Sequence, residues 1–432
     1  MYPLAKYIFY SAVALLLPII VLFYLGNHPE ICRSFIVAAV LFIAVGLRFI
    51  PKLRGYQFTA WIIVAVTAGM IYPAPLLKVG GFDLRNKWLI LLIVQAVMFG
   101  MGTQMKLADF KGVVKMPWAV AIGVAGQFTI MPLVGFGLTK LFHFEPEIAA
   151  GIILIGSCSA GLASNLMAYI AKANLALSIT MTSVTTMLAP IMTPLWMKLL
   201  AGELVEVKPF NMMMEIIKIV IVPIGAALLH DYLKFASVRE RRIVHGTAAV
   251  GAVWLGFIAS GGWAWFKANV SAEGLPWLGV MGFLFAAIVA GVIYHQATKL
   301  LPKLPKLMPI ASMFGIVYFT TVTTAAGRDS LLQIGGLLFL AAMLHNTFGY
   351  VFGYGLARLC KLDIASARTV AFEVGLQNGG MASGLAGSLG KLGTMGLAAA
   401  IFSPWMNISG SVLANFWRRK AAKQSAPADS LA

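Results

Sequence analysis

Glu373-Val374-Gly375-Leu376-Gln377-Asn378-Gly379-Gly380 lies inside an apolar stretch, near 365–388, that is long enough to cross a bilayer. Glycine weakens a helix and bares backbone carbonyls, which hydrocarbon tolerates only where protein or a water-filled cavity supplies partners. The segment therefore predicts a discontinuous helix. Glu373 falls about eight residues into its span, roughly 12 Å at 1.5 Å per residue, so it sits near mid-membrane. A carboxylate at that depth costs at least about 2.5 kcal/mol and is expected to face the protein interior beside a cation. Gly156-Ser157-Cys158-Ser159-Ala160-Gly161-Leu162-Ala163-Ser164-Asn165 combines glycine and polar side chains in the same way, and predicts a second broken helix.

Outward from these segments the chain stays apolar. Of its 432 residues 60% are hydrophobic and 11% charged, which places it among polytopic membrane proteins. Spans are expected near 5–26, 34–50, 57–76, 87–105, 117–141, 147–171, 174–200, 211–230, 246–266, 275–297, 308–327, 330–357, 365–388 and 392–417, about fourteen in all. The first apolar stretch is succeeded by a second one without an A-x-A-like cleavage site between them, and is expected to be retained. Of the 33 Lys and Arg residues, 22 fall on one side of this arrangement and 10 on the other, with Lys218 inside a span. Both termini are therefore expected in the cytoplasm, in a bacterial inner membrane. The net charge of +18 is spread over short connections instead of forming one stripe, so it speaks for topology signals and contact with anionic lipid rather than nucleic acid. Cys32, Cys158 and Cys360 are too scattered for a disulfide framework or a metal site.

Sliding the chain by 218 residues lays Gly135-Phe136-Gly137-Leu138-Thr139-Lys140-Leu141 over Gly353-Tyr354-Gly355-Leu356-Ala357-Arg358-Leu359, and pairs Glu145 with Asp363, Gly161 with Gly379, and Gln127 with His345. The same shift superimposes the spans beginning near 57, 87 and 117 on those near 275, 308 and 330. Seven spans separate each pair, an odd number, so the two copies would face opposite ways, as in many secondary transporters. The expected division is an N-terminal two-helix extension over 1–56, a first inverted repeat over 57–210, a second over 211–420 with an extra helix pair, and a disordered cytoplasmic tail over 421–432.

A hard cation such as Na⁺ takes oxygen ligands. Ser164 and Asn165 precede a turn near Ala173, and Ser178 and Thr182 follow it on one helix face. Ser164 and Thr182 are equally far from the turn and should sit level across the hairpin. Gln127 and Gln377 add amide oxygens, Gln377 one turn beyond Glu373 on the same face.

Ala163-Ser164-Asn165, followed by Ala176-Leu177-Ser178-Ile179-Thr180-Met181-Thr182-Ser183-Val184, with Leu188-Ala189-Pro190 and Thr193-Pro194-Leu195 beyond, resembles a signature of the bile acid:sodium symporter family. Glu373-Val374-Gly375-Leu376-Gln377-Asn378 resembles its second signature, and Gln127-Phe128 with Met131-Pro132-Leu133 a third. The likeness runs from about residue 57 to about 417, interrupted in the middle. It implies an all-α, inverted-repeat secondary transporter with two discontinuous helices crossing at mid-membrane, and two sodium sites. One would use Ser164, Asn165, Ser178, Thr182 and Glu373. The other would use Gln127, Glu373 and Gln377 with backbone oxygens of Val374 and Leu376. Asn378 would face a small organic anion.

The chain departs from that pattern in four extra spans, in Leu162, where the family often has Thr, and in Met406, where it often has His before Asn407. Leu162, Met406 and Asn407 fall near the expected substrate cavity, so the identity of the anion is open, as is the oligomeric state. The family pattern would place 211–230 inside the second repeat and the extra pair after it, whereas spacing alone favours seven spans plus seven. A proton-coupled carrier cycling Glu373, or a channel or sensor on the same scaffold, are the rival readings, and the hydroxyl and amide oxygens around Glu373 favour Na⁺. No H-E-x-x-H, nucleophile elbow, Walker A or dinucleotide fingerprint supports an enzyme.

Overall fold

The computed structural model describes residues 29–50, 57–271 and 274–424, together with Tyr10, Ser11, Val13, Ala14 and Pro18. The expected span near 5–26, the basic residues Lys6, Lys52 and Arg54, and the tail from 425 onward lie outside the described residues, apart from those few positions. Among the described residues nine helices are long and apolar enough to cross a membrane, or ten if the pair Lys87–Gly102 and Leu107–Lys115, bent by 63°, forms one span.

In chain order the helices are α1 (Pro29–Gly46), α2 (Gln57–Ile71), α3 (Lys87–Gly102), α4 (Pro117–Phe142), α5 (Pro146–Ser157), α6 (Ala163–Ile170) and α7 (Leu175–Ala201). Then follow α8 (Pro209–Phe235), α9 (Val238–Asn269), α10 (Leu275–Leu300), α11 (Leu304–Ala326), α12 (Arg328–Leu359), α13 (Ile364–Gly375), α14 (Gly379–Ser388) and α15 (Met395–Gln424). The expected span near 57–76 is interrupted at Tyr72, between Gln57–Ile71 and a short helix, Pro73–Leu77, whose opening proline cannot donate to the preceding turn. The spans expected near 147–171 and 365–388 are absent from the nine for a different reason. Each is broken at its glycine-rich segment, into α5 with α6 and α13 with α14. The last helix runs on to Gln424, past the start expected for the tail.

Local chemistry accounts for most helix starts. Asn86, Asn174 and Asp363 cap α3, α7 and α13 with side-chain oxygens that accept backbone N–H groups, and Ser237 with Glu240 forms a capping box on α9. Pro117, Pro146 and Pro209 open α4, α5 and α8 at positions where no backbone N–H is needed. The described residues depart from helix in one antiparallel ribbon, where Lys78 pairs with Asp83 and Val79 with Phe82. Its two-residue turn needs positive φ twice, which Gly80 (56°) and Gly81 (85°) supply.

Two packed groups result. The helices α4, α5, α6, α7, α12, α13, α14 and α15 surround the two breaks, while α2, α3, α8 and α11 form a second layer. Helices α1 and α10 pack outside that layer, on α2 and α8 respectively, and α9 packs on α10. Helices α5 and α13 are each 12 residues long and lie 218 residues apart at both ends. The same shift lays α2 over α10, yet it is α8 that packs on α3, as α2 packs on α11.

Candidate functional site at the crossing of two helix breaks

Each break leaves backbone groups that its own helix cannot satisfy, and each satisfies them on the other. Ala160 and Gln377 form an antiparallel bridge. Gly161 donates its N–H to the Leu376 carbonyl at 2.9 Å, and Asn378 donates its N–H to the Ser159 carbonyl at 2.9 Å. So close an approach requires glycine at 161. Further support comes from α12, where the Asn346 side chain donates to the Gly375 carbonyl at 2.8 Å and accepts from Ser409 at 2.5 Å.

Glu373, at the end of α13, is fully buried. Its Oε1 accepts from Ser164 at 2.6 Å and from Ser178, while Oε2 accepts from Thr182 at 2.9 Å. Asn165 Oδ1 lies beside them, 2.8 Å from Ser178 Oγ and 3.3 Å from Thr182 Oγ1. Ser164 and Thr182 are 3.4 Å apart across the turn, as the spacing predicts. All five residues expected for the first sodium site thus meet, with α6, α7 and α13 contributing. Among the described residues Glu373 makes no ion pair. Each hydroxyl keeps lone pairs beyond the one hydrogen bond it donates, so the cluster can turn carboxylate, hydroxyl and amide oxygens toward a small hard cation.

The second expected set is brought together in part. Gln127, fully buried in α4, donates to Gln377 Oε1 at 2.8 Å and to the Cys158 carbonyl at 3.0 Å. Gln377 donates in turn to the Val374 carbonyl at 2.7 Å. The Gln127 Oε1 atom is buried with no hydrogen-bond donor, an unused acceptor of the kind a cation would take. The Leu376 carbonyl receives the Gly161 N–H, so of its two lone pairs one is already engaged.

The four residues expected around the substrate are more dispersed in role. Asn378 caps α14 by accepting the Met381 N–H at 3.0 Å, and its amide N–H₂ faces Ser159 Oγ at 3.5 Å and Met101 Sδ at 3.6 Å on α3. Leu162 precedes α6 at the first break. Met406 is buried in α15, and Asn407 spends its amide on the Ser403 carbonyl of its own helix at 2.7 Å. Sequence reasoning missed the brace at Asn346. A buried amide in a span was the available signal, and it stands directly after His345, whose Nε2 donates to the Met131 carbonyl at 2.8 Å.

An all-helical integral membrane protein whose two broken helices meet on a buried carboxylate, with no ion pair to it among the described residues, has the makings of an ion-coupled carrier. The sequence comparisons agree. The model of the Sodium Bile acid symporter family matches residues 89–263. The chain is 33% identical over 385 residues to the "Uncharacterized sodium-dependent transporter YocS" of Bacillus subtilis, covering 89% of this chain and 98% of that one. It is 27% identical to the "Probable sodium/metabolite cotransporter BASS1, chloroplastic" of Arabidopsis thaliana, over 88% of this chain and 77% of that protein. With the human ileal sodium/bile acid cotransporter it shares 29% identity, over 66% of this chain and 65% of the other. The chain belongs to the sodium/bile acid symporter family, and its relatives are sodium-dependent transporters, not enzymes.

Proposed function

We propose that this protein is a symporter that couples the movement of a small organic anion to Na⁺ by alternating access. The observation that carries the reading is the buried Glu373 carboxylate, held by three hydroxyls and no basic side chain. An unpaired buried charge is costly, and Na⁺ offsets that cost while using the surrounding oxygens. One sodium ion binds Ser164, Asn165, Ser178, Thr182 and Glu373. A second binds Gln127, Glu373 and Gln377 with the Val374 and Leu376 carbonyls. Asn378, Leu162, Met406 and Asn407 border the anion.

The fold fits two inverted repeats, over 57–210 and 211–420, following an extension over 1–56. The equal lengths of α5 and α13 support this division, as does the antiparallel pairing of the breaks. Because α8 packs on α3 as α2 packs on α11, α8 belongs to the second repeat and α9 with α10 form the insertion. The protein sits in a bacterial inner membrane with cytoplasmic termini, in contact with lipid.

Melting of the purified protein in NaCl, KCl and choline chloride tests the ion assignment. A ligand that binds only the folded state at about one hundred times its Kd stabilises by about 2.7 kcal/mol. NaCl alone should raise Tm, and Glu373→Gln should abolish the rise. Equal shifts in all three salts would refute the site.

A further inference from the structure

Outside the crossing, the described residues line a half-open cavity of about 780 Å³ between α3, α8, α9, α10 and the far end of α14. Its walls are largely apolar, with Trp263 of α9 and Phe283 of α10 among them. A cavity of that size with few polar groups suits one small organic molecule. Two features mark it as built for a ligand. First, Lys218 lies nine residues into α8, about 13 Å along the helix, and a lysine at such depth marks function by default. Its ammonium bonds Glu215 Oε1 at 3.1 Å and lies 5.9 Å from the centre of the Phe283 ring. A lysine carries three donors, so one carboxylate leaves it able to meet another. With Lys87 also on the wall, the described lining carries two cations and one anion.

Second, two π-helical turns from separate parts of the chain meet at this cavity. One spans Ile217–Ile221 and holds Lys218, whose carbonyl accepts from Gln95 at 3.1 Å. The other spans Ile258–Gly262, where Gly261 adopts a φ of 108°. Ile258, which opens that turn, and Trp263, which follows it, line the cavity. Such turns give up regular hydrogen bonding and occur mostly at functional sites.

We propose that this cavity binds the apolar body of an organic monoanion, with Lys218 receiving its acid group. The occupant is a small ring-bearing acid and not a lipid, because Trp88, Trp263 and Phe283 offer ring faces among the aliphatic walls and the net charge of the lining matches one negative charge. This deepens the symporter reading, and rests on it in making the occupant the transported anion. Gly384 and Ser388, also on the wall, belong to α14, the helix that Asn378 caps at the crossing, so one helix joins the cavity wall to Asn378. Specificity then comes partly from the insertion, through Trp263 and Phe283.

Calorimetric titration of the protein in phosphatidylcholine nanodiscs with 1-naphthylacetate and its uncharged amide tests this, with empty nanodiscs as the blank. The acid should bind at least about tenfold more tightly than the amide, as expected for one charge-assisted contact. Lys218→Met should erase that preference while leaving amide affinity unchanged, and Trp263→Ala should weaken both ligands. Since Lys218→Met strands Glu215, the double variant Lys218→Met, Glu215→Gln provides a second, charge-neutral test and should behave alike. Equal binding of acid and amide by the wild type would overturn the proposal, as would a preference that survives in the double variant. Loss of acid binding in phosphatidylglycerol nanodiscs would assign the site to a lipid headgroup and also overturn it. Glu373→Gln should retain acid binding without Na⁺. If sodium-dependent stabilisation fails while this binding persists, the symporter reading falls and the cavity stands.

Discussion

A Cβ atom on Gly161 would lie 2.7 Å from the carbonyl oxygen of Gln377, closer than such atoms approach in folded proteins. The two residues belong to different breaks, so the contact sets how tightly the crossing closes. Gly161→Ala should therefore destabilise the protein by about 1–3 kcal/mol, the usual range for overpacking, and should shrink the Na⁺-linked rise in Tm. Gly137→Ala is the control: no atom lies within 4 Å of its added Cβ, and alanine is the better helix former. Comparable losses at both positions would show that the crossing is not the tight point.

Thr182 gives Glu373 one of three hydroxyls, so Thr182→Ala should weaken Na⁺ binding without erasing it. Asn378→Ser keeps an oxygen to cap α14 but removes the amide. Linkage requires that weaker Na⁺ binding also weaken anion binding. In uptake measured against Na⁺ concentration, using a substrate found by ligand screening, saturating Na⁺ should restore Thr182→Ala and leave Asn378→Ser impaired. Restoration of Asn378→Ser to wild-type rates would remove Asn378 from the anion site.

Asn346 reaches the Gly375 carbonyl from a helix that contributes nothing to the ion cluster. Asn346→Leu should leave that buried carbonyl unsatisfied, at a cost of about 1–3 kcal/mol. Thermal melts with and without Na⁺ separate this from a ligand role. A fall in Tm with an intact Na⁺ increment marks a brace, and loss of the increment alone marks a ligand.

The charge asymmetry predicts a cytoplasmic connection between α8 and α9. Arg239 is exposed there and, unlike Ser237, caps no helix. In a background with Cys360 replaced, Arg239→Cys should resist a membrane-impermeant thiol reagent in intact cells and react after permeabilisation. Labelling from outside would invert the topology.

The breaks and the pairing of Ser164 with Thr182 were legible because they depend on short-range facts. Glycine beside polar residues at membrane depth has few physical solutions, and Ser164 and Thr182 flank one turn. The Gln127–Gln377 contact joins residues 250 apart; both amides were noted, but nothing local says that they bond each other. Helix identity was harder still. Spacing paired α2 with α10, whereas in the packing α8 stands to α3 as α2 stands to α11. Lys218 was visible within its span, but the cavity around it is made by helices brought together from four parts of the chain.

The reciprocal bonding of the two breaks also bears on biosynthesis. The Gly161 amide finds its acceptor at Leu376 and the Ser159 carbonyl its donor at Asn378, so the first break cannot complete its backbone hydrogen bonding until the second has been made. On the ribosome, α5 and α6 must wait through the synthesis of about half the chain with polar backbone exposed at membrane depth. Expressed alone, residues 1–210 would carry that open segment indefinitely and be a natural target for quality-control proteolysis, while co-expression with the remainder would supply the missing half of the bonds.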